Sequence, residues 1–523
     1  MVSFALLALL VCPLIAFGIF RKPYSRLPPG PRGLPLVGNV FQFDPVKAWH
    51  LCEEYKRKYG PIVYLNFFGQ PVVVINTKKV AYDLLVHRAA NYSDRTRSIV
   101  GDYMTGGMNS GLIRYGELQV LWRKFRRSSQ FALSPKAIAQ YQSLQQDEMV
   151  LMTYGMMYDP DHWTEEISRA TSSIVLSMIY DLPPIKSLSD PFLNKIGDFN
   201  RRLSEVFYPG AHLVELLPIL DYLPAWLAKW KRDAIKDFRF FSALFQKMFR
   251  VNKEQVVSGE EHRASFCATI AENQEKMAIS DLECAWLAGS LHGAGHDTTY
   301  TMITWAIFAM IHFPEVQRRA QQQLDEVVGR SRIPSLADFK HLPYIRAIVQ
   351  EARLVLRWRP VTPLGPTHYS VEDDYYEGYY IPKGTFCMPN IRSMNYDSEI
   401  YGPDAGDFKP DRFLDSCGNI KDENDEGHFS YGFGYRDCVG RHLANNALFI
   451  AVSMLLWSMK IEPGKDENGK NVLPDINSEE MDGFMIRPAQ FRVTLSPRFP
   501  DVEMILRQAR DDVVSSERYK RSD

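Results

Sequence analysis

The residue with the greatest chemical potential in this sequence is Cys438, in the stretch 431–440, which reads Tyr-Gly-Phe-Gly-Tyr-Arg-Asp-Cys-Val-Gly. Arg436 lies two residues before the cysteine, and residues 443–457 follow with apolar side chains at helical spacing. A helix N-terminus and a neighbouring cation both favour a thiolate over a thiol. The pattern therefore predicts a soft, anionic metal ligand at the start of a helix.

Three glycines around this cysteine would let a planar group approach the backbone closely. They are Gly432, Gly434 and Gly440. As alternatives, a free cysteine is more often a small buried hydrophobe, and a zinc site of Cys438 and His442 would lack further ligands. A dinucleotide-binding loop is excluded, because Asp437 stands where its glycine fingerprint needs a glycine.

The stretch resembles the haem-binding loop of the cytochrome P-450 superfamily, Phe-x-x-Gly-x-Arg-x-Cys-x-Gly. Every fixed position matches except the first, where Tyr431 replaces phenylalanine. The resemblance implies that Cys438 is the axial ligand of haem iron, with haem b as the cofactor. It also assigns Tyr431, Gly432, Arg436 and Gly440 to the cofactor site.

Composition fits a large globular enzyme, with 523 residues of which 46% are hydrophobic and 24% charged. The formal net charge of −1 gives a nucleic-acid partner no electrostatic support. Seven scattered cysteines, an odd number, argue against a disulfide framework and for a reducing compartment.

Residues 2–20 are nearly all apolar and would span roughly 28 Å as a helix, close to the thickness of a bilayer core. Positive charges follow this segment and none precedes it, which favours a cytoplasmic catalytic domain over a cleaved signal. We predict a transmembrane anchor over residues 1–20 and a basic, proline-rich hinge over 21–35. This arrangement resembles microsomal cytochromes P-450, which implies a single-pass protein of the endoplasmic reticulum membrane.

The elements that must position Cys438 are predicted to be mainly α-helical with small β-sheets, in the cytochrome P-450 fold. Short β-rich runs at 62–65 and 71–75, broken by Gly69, predict a hairpin. Helical periodicity dominates from Thr77 onward. We expect one catalytic domain over residues 36–498 and a polar, partly frayed tail over 499–523.

Trp122 and Arg126 lie four residues apart, and therefore on one face of a predicted helix. Alone, the segment reads as a solvated basic face with one buried tryptophan. It also resembles the family's Trp-x-x-x-Arg pattern, whose side chains contact a haem propionate, and His368 stands where the family often has another propionate donor. The outward residues would face an acidic redox partner; they are Arg123, Lys124 and Arg127.

A capping box at Ser280 and Glu283 opens an apolar run of about 30 residues that ends before Pro314. Such a helix, on the order of 45 Å long, would cross the whole domain. At 294–299 it contains Ala-Gly-His-Asp-Thr-Thr. Glycine and polar residues in a buried helix are costly, which suggests function. The structural alternative is a kink at which Thr298 bonds to its own helix's carbonyls.

This hexapeptide resembles the family's oxygen-binding groove. The resemblance implies that Ala294 and Gly295 belong to the haem pocket, where Gly295 makes room for dioxygen. It also implies that Asp297 and Thr298 are catalytic residues that deliver protons during oxygen activation.

The main departure from the family lies at 350–360, where the family has Glu-x-x-Arg. Arg357 fits the arginine, but Leu354 stands three residues before it and Glu351 six. Six residues of regular helix separate two side chains by about 9 Å and about 120°, so we expect no direct ion pair. A helical bulge, a rebuilt network or extra translated residues remain open, and Arg412 would face Arg357 without this carboxylate.

Five motifs in the family's order, over roughly residues 28–497, imply a membrane-anchored monooxygenase that inserts one atom of O2 into a lipophilic small molecule. The chain has no flavin or nicotinamide module, so the resemblance implies an external NADPH-dependent cytochrome reductase, with cytochrome b5 as a second candidate donor. The segment 356–363 looks like filamentous-fungal members, often of secondary metabolism.

Two other functions stay open at this point. One is a haem-thiolate isomerase or dehydratase that needs no reductase, which the retained Asp297 and Thr298 disfavour. The other is a non-catalytic haem-binding or ligand-binding relative, which the altered Glu-x-x-Arg segment makes conceivable. Substrate, regiochemistry and pathway are not encoded in these patterns.

Overall fold

The structure is a computed structural model that describes residues 26–44, 47–208, 211–259, 263–352, 357–422, 428–482 and 485–520. The predicted anchor at residues 1–20 and the first part of the predicted hinge lie outside this set. Among the residues described, none of the helices has both the length and the apolar character needed to cross a membrane.

Helices dominate the described chain, as the sequence predicts. Those of seven or more residues are α1 (Ala48–Tyr59), α2 (Ile99–Thr105), α3 (Gln119–Ala132), α4 (Gln142–Tyr158), α5 (Trp163–Tyr180), α6 (Pro191–Phe207), α7 (Lys229–Ser258), α8 (Phe266–Glu272), α9 (Asp281–His312), α10 (Pro314–Val327), α11 (Pro343–Ala352), α12 (Arg441–Ser458) and α13 (Val502–Ser515). Besides the π-helical segment Tyr82–His87, the shorter helical segments are Val40–Gln42, Lys78–Ala81, Ala89–Tyr92, Pro135–Ile138, Ala139–Tyr141, Pro160–His162, Leu213–Leu216, Pro218–Tyr222, Gln274–Met277, Leu336–His341, Ile391–Asn395, Ser398–Tyr401, Pro410–Phe413, Gly434–Arg436 and Glu517–Lys520.

The strands are short and form one five-stranded sheet and three two-stranded sheets within the described residues. They are β1 (Ile62–Phe67), β2 (Gln70–Ile75), β3 (Asp94–Arg95), β4 (His368–Tyr369), β5 (Asp374–Tyr376), β6 (Tyr379–Ile381), β7 (Phe386–Pro389), β8 (Met459–Pro463), β9 (Glu479–Asp482), β10 (Met485–Pro488) and β11 (Val493–Pro497). The large sheet has the order β1-β2-β7-β4-β3, and the pairs are β5–β6, β8–β11 and β9–β10. The predicted hairpin is confirmed, since β1 and β2 pair antiparallel around a turn in which Gly69 has a positive φ of 89°.

Helix α9 is the element around which the other helices pack. The predicted capping box is present, because the Ser280 N–H donates to Glu283 Oε2 at 2.7 Å and the Glu283 N–H donates to Ser280 Oγ at 3.3 Å. The helix packs against α5, α7, α12 and β10. Trp286 in its first half and Trp305 in its second half are both fully buried, each in a different apolar cluster. A helix that is apolar on all sides is stable only when protein surrounds it.

The C-terminal segment differs from the frayed tail expected over 499–523. Helix α13 packs against α4, and Val502 and Leu506 are fully buried in the larger apolar cluster. Their spacing of four residues puts both on one helix face, which gives this charged segment an apolar side to bury. Arg518 then pairs with Asp147 of α4 at 3.2 Å.

Candidate active site

Cys438 lies in the loop between the helical turn Gly434–Arg436 and the first residue of α12. Its backbone N–H donates to the Tyr431 carbonyl at 2.8 Å, which closes the loop. Gly440 is the N-cap of α12, so Cys438 lies two residues before the N-cap, at the start of a helix as the sequence predicted. The partial positive charge of a helix N-terminus favours an anion at this position.

Accessibility separates Cys438 from most other cysteines of the described chain. Burial raises the thiol pKa of Cys52, Cys267, Cys284 and Cys387, which are all enclosed. Cys438 and Cys417 are exposed. Cys417 lies in a turn, where its backbone N–H donates to the Asp415 carboxylate at 2.8 Å, and it is not at the N-terminus of a helix as Cys438 is. Cys438 is therefore the better candidate for a metal ligand.

The three glycines of this loop differ in what the structure requires of them. Gly434 has a φ of 57°, and a Cβ built on it would lie 2.2 Å from the Leu85 carbonyl oxygen. Close approach between two stretches of the protein's own backbone thus accounts for Gly434, and the approach of a planar cofactor to this loop stays a prediction. Gly432 has a φ of 78° and is exposed, and Gly440 would place a Cβ 4.0 Å from the Cys438 sulfur.

Arg126 faces the cysteine loop from α3. Its Nη1 donates to the Asp437 carbonyl at 2.6 Å, and its Nη2 forms an ion pair with the Asp437 carboxylate. Trp122, one turn earlier, packs edge-on against Tyr115 at 5.0 Å between ring centroids and carries the Arg436 guanidinium 5.3 Å from its own centroid. The predicted pair of Trp122 and Arg126 is therefore adjacent to the loop.

Beside this loop, Arg95 is buried and Arg436 is half-buried, and both have carbonyl oxygens as their partners. Arg436 donates to the carbonyls of Ser93 at 2.8 Å and Ile113 at 2.5 Å. Arg95 donates to Pro366 at 2.8 Å and also to the Gly111 and Thr367 carbonyls. Burial lowers the pKa of both guanidinium groups, and Arg95 lowers that of Arg436 further. No carboxylate of the described chain lies within ion-pair distance of either, which suits them to bind an anionic group.

His368 lies against the same two arginines. Its Nδ1 is 2.7 Å from the Tyr92 carbonyl, which can only accept, so Nδ1 carries the hydrogen. Burial and the charge of Arg95, with a smaller contribution from Arg436, place the pKa of His368 well below its usual value. A neutral ring in this tautomer has no second N–H to donate, so its predicted role toward a propionate would require a second proton.

The middle of α9 is accessible to solvent, whereas the segments on both sides of it are buried. Residues 284–290 and 301–311 are all buried, whereas Ala294 is exposed and residues 295–298 are partly exposed. Gly295 faces α5, since a Cβ there would lie 3.1 Å from Val175 Cγ2. Close packing of α9 on α5 thus accounts for Gly295, and its role toward dioxygen stays a prediction. The accessible space lies at Ala294.

Asp297 and Thr298 both have partners in α9. Thr298 Oγ1 donates to the Ala294 carbonyl at 2.8 Å, the back-bond that the structural alternative describes, although α9 is helical throughout. Asp297 Oδ1 is 2.9 Å from His296 Nδ1 and 3.9 Å from Arg487 Nη2. Burial alone would raise the pKa of Asp297, but the hydrogen bond and charge of His296 and the charge of Arg487 outweigh it and lower the pKa.

The expected absence of an ion pair between Glu351 and Arg357 is wrong. Arg357 Nη2 is 2.6 Å and Nε 3.3 Å from the two carboxylate oxygens, and Arg412 Nε lies 3.2 Å from the same group. Arg357 lies in a turn, so the regular-helix spacing does not apply to it. Leu354 lies outside the described residues. Glu351 thus serves both arginines, and residues 353–356, whose path would separate the three explanations, lie outside the residues that the structure describes.

Arg95, His296 and Arg487 belong to this site but were not found in the sequence. Arg95 is a lone arginine in a two-residue strand, and its carbonyl partners are up to 272 residues away. His296 occupies a variable position of the oxygen-groove pattern, between Gly295 and Asp297. Arg487 lies in β10, and no motif of the sequence marks it.

An accessible thiol at a helix N-terminus, buried cations without carboxylates and an accessible turn of a central helix fit a haem with its two propionates. The fold and this donor set define a helical protein of the haem-thiolate class.

The cytochrome P-450 family model matches residues 28–495. A cytochrome P-450 monooxygenase of Armillaria gallica is 44% identical over 511 residues, covering 97% of this chain and 96% of the relative. Another from that fungus is 42% identical over 510 residues, 97% of each chain. Cytochrome P-450 monooxygenase 58 of Postia placenta is 42% identical over 497 residues, 94% of this chain and 93% of that one. The chain belongs to the cytochrome P-450 family and is a monooxygenase, which implies a haem-iron cofactor.

Proposed function

We propose that this chain is a membrane-anchored monooxygenase that inserts one atom of O2 into a lipophilic small molecule, using electrons from NADPH through a separate reductase. The observation that carries the proposal is the accessible Cys438 beside the buried Arg95 and the half-buried Arg436, two cations with no carboxylate ion-pair partner in the described chain. Secondary metabolism, the pathway type that the sequence suggested, is supported only by the fungal relatives.

In this proposal Cys438 holds the iron of haem b, and Arg95, Arg126 and Arg436 hold its propionates with Trp122 packed beside them. The sequence has no Cys-x-x-Cys-His segment for covalent attachment, which supports haem b. When bound, a thiolate-ligated haem supplies reductive activation of dioxygen, and electron donation by the sulfur favours O–O cleavage. Tyr431, Gly432 and Gly440 shape the loop around the sulfur.

On the α9 side, Asp297 and Thr298 move protons to the reacting oxygen. Thr298 donates its own hydroxyl proton to the Ala294 carbonyl, so the oxygen of that hydroxyl remains free to accept a proton or to hold a water. Asp297, the residue before Thr298, supplies the ionisable group, and the pKa of its carboxyl is lowered. Ala294 provides the accessible surface at which substrate and dioxygen meet.

Electron delivery is proposed to use the outer face of α3. Arg123 and Arg127 are exposed, as the sequence predicts, while Lys124 is half-buried and lies 3.7 Å from Glu283. Exposed cations steer an acidic partner by long-range attraction. An NADPH-dependent cytochrome reductase, with cytochrome b5 as a second donor, fits that requirement.

Membrane association is proposed from the apolar N-terminal segment and from an exposed apolar stretch at 213–227. The exposed side chains there are Leu213, Leu216, Leu217, Ile219, Tyr222, Leu223, Trp226 and Leu227. Tyrosine and tryptophan in such a stretch favour the membrane interface. We propose the endoplasmic reticulum membrane, a single-pass anchor over 1–20, and a cytoplasmic catalytic domain from residue 36.

Replacing the cysteine tests the proposal directly. Cys438→Ala should abolish the red-shifted absorption band that reduced thiolate-ligated haem gives with carbon monoxide, and with it NADPH-dependent oxygen uptake in the presence of reductase. Cys417→Ala, which changes the other exposed cysteine, should leave both unchanged. An unaltered band in Cys438→Ala would refute the proposal.

The same assay separates the other functions. An isomerase or dehydratase would show the thiolate band but convert a peroxide without NADPH or reductase. The argument for a non-catalytic relative rested on a missing ion pair, and Glu351 and Arg357 form that ion pair.

A further inference from the structure

A chain of hydrogen-bonding groups connects α5 with Asp297 through His296. Ser168 Oγ lies 3.3 Å from His296 Nε2, and His296 Nδ1 lies 2.9 Å from Asp297 Oδ1. The imidazole is held between the hydroxyl and the carboxylate, and its side chain is only 12% exposed.

The chemistry of these partners fixes the tautomer of His296. An ionised carboxylate can only accept, so Nδ1 must carry the hydrogen that it shares with Asp297. In the neutral ring Nε2 is then the acceptor, and it takes the Ser168 hydroxyl proton. The Asp297 carboxylate thus fixes the tautomer of His296, and the Ser168 hydroxyl holds the Nε2 side of the ring.

His296 does not share the accessible face of Ala294 and Thr298. At about 100° per residue, position 296 lies roughly 200° from position 298 around α9. A substitution at His296 therefore changes the environment of Asp297 from the α5 side, away from the face that Ala294 and Thr298 present.

Asp297 also borders a cavity of about 690 Å³ between α6, α9 and the β9–β10 hairpin. Arg487 from β10 and Arg201 and Glu205 from α6 line that cavity with it. On α9 itself, His292 and Tyr300 flank the pair one turn away on either side. His296 is the group that contacts the Asp297 carboxylate at hydrogen-bond distance, since Arg487 is 3.9 Å away.

We propose that His296 is a positioning residue for Asp297: the imidazole orients the carboxylate and stabilises its charge through Nδ1–H, while Ser168 holds the Nε2 side of the ring. The proposal rests on the proton-relay role proposed for Asp297. It assigns to this chain a Ser168–His296–Asp297 unit that controls how readily the relay accepts and releases a proton.

Asparagine and glutamine at position 296 separate the two nitrogens of the ring. The amide nitrogen of asparagine occupies the position of Nδ1 and can still donate to Asp297, whereas that of glutamine occupies the position of Nε2 and cannot. His296→Asn should therefore preserve the unit, and His296→Gln and His296→Ala should disrupt it. Ser168→Ala should have a smaller effect in the same direction as His296→Ala.

The readout is the pH midpoint of the Asp297 carboxyl, measured in the haem-loaded protein by infrared difference spectroscopy and identified by its loss in Asp297→Asn. Without the donor, burial dominates, so the midpoint should rise by about one pH unit in His296→Gln and His296→Ala. It should stay near the wild-type value in His296→Asn. An unchanged midpoint in His296→Ala, or equal shifts in the asparagine and glutamine variants, would overturn the proposal.

A second measurement separates this proposal from the proposed role of Asp297. The fraction of NADPH electrons that ends in hydrogen peroxide should rise several-fold in His296→Gln and Asp297→Asn but not in His296→Asn. If the infrared midpoints shift as expected while peroxide release stays constant in every variant, including Asp297→Asn, His296 positions Asp297 but Asp297 is not the relay.

Discussion

Two pairs of arginines, each buried or half-buried, differ in what compensates their charge. Arg357 and Arg412 share the fully buried carboxylate of Glu351, at 2.6 and 3.2 Å. Arg95 and Arg436 have only carbonyl oxygens as hydrogen-bond partners in the described chain. We call the first set the carboxylate-paired cluster and the second the carbonyl-paired cluster.

The two clusters have different net charge although both satisfy their N–H groups. In the carboxylate-paired cluster, Glu351 and the more exposed Asp404, 3.2 Å from Arg412, balance two cations. In the carbonyl-paired cluster Asp94 is close enough to act on Arg436, but its carboxylate accepts the Arg95 backbone N–H. Dipoles do not neutralise a charge, and a buried charge is stable only when it is paired. The first cluster is thus built for stability and the second for an anion that arrives with a ligand.

The largest effect should follow from breaking the carboxylate-paired cluster. Glu351→Gln leaves the fully buried Arg357 without an ionised partner and leaves Arg412 with Asp404 alone, so the free energy of unfolding should fall by about 3–5 kcal/mol. Chemical denaturation of purified protein measures the change. If the single variant is not recovered, the double variant Glu351→Gln with Arg357→Met should be, since it removes one of the stranded charges.

Asp404→Asn is the matched control, because Asp404 contacts the same Arg412 from a more exposed position. Surface ion pairs contribute little to stability, so the free energy of unfolding of this variant should be close to that of the wild type. Equal destabilisation by Glu351→Gln and Asp404→Asn would contradict the distinction between buried pairing and surface contact.

The carbonyl-paired cluster should respond in the opposite way. Arg436→Met removes a half-buried charge that has no ion-pair partner in the described chain, so the haem-free protein should be no less stable than wild type. Haem affinity should fall roughly 10- to 100-fold, the equivalent of one charge-assisted hydrogen bond to a propionate. Transfer of haem to excess apomyoglobin measures the loss. Arg441 is the control, because it has the carboxylate of Asp437 as its partner. The Arg441→Met variant should lose haem more slowly than Arg436→Met.

Sequence patterns predicted the parts of this molecule that depend on neighbours along the chain. The capping box at Ser280, the hairpin around Gly69 and the position of Cys438 before α12 all follow from local spacing. The pair of Glu351 and Arg357 was wrongly excluded, because the argument assumed a regular helix through Arg357, which lies in a turn. Spacing rules apply only where the periodic structure continues.

Contacts between distant segments could not be predicted in the same way. Ser168 and His296 are 128 residues apart, and Arg95 reaches a carbonyl 271 residues away. Nothing in either local sequence marks these partners, since only the packing of α5 on α9 and of β3 on β4 brings them together. The two charge clusters look alike in sequence for the same reason.

The smallest effect that distinguishes the clusters concerns His368, which would add a third positive charge to the carbonyl-paired cluster. Its pKa is well below the usual value in the folded protein and returns toward 6.5 on unfolding. As the pH falls through 6.5, His368 therefore binds a proton in the unfolded chain but not in the folded protein. Stability should decrease toward acid by about 1.4 kcal/mol per pH unit from this group.

Denaturation midpoints of the haem-free protein at several values between pH 7.5 and 5.5 should show this slope, and His368→Gln should reduce it. An equal slope in both proteins would mean that the folded cluster tolerates another cation. With haem bound, propionates near Arg95 and Arg436 should raise the pKa of His368 and flatten the wild-type slope. That result would show directly that the carbonyl-paired cluster lacks an anion until the cofactor supplies one.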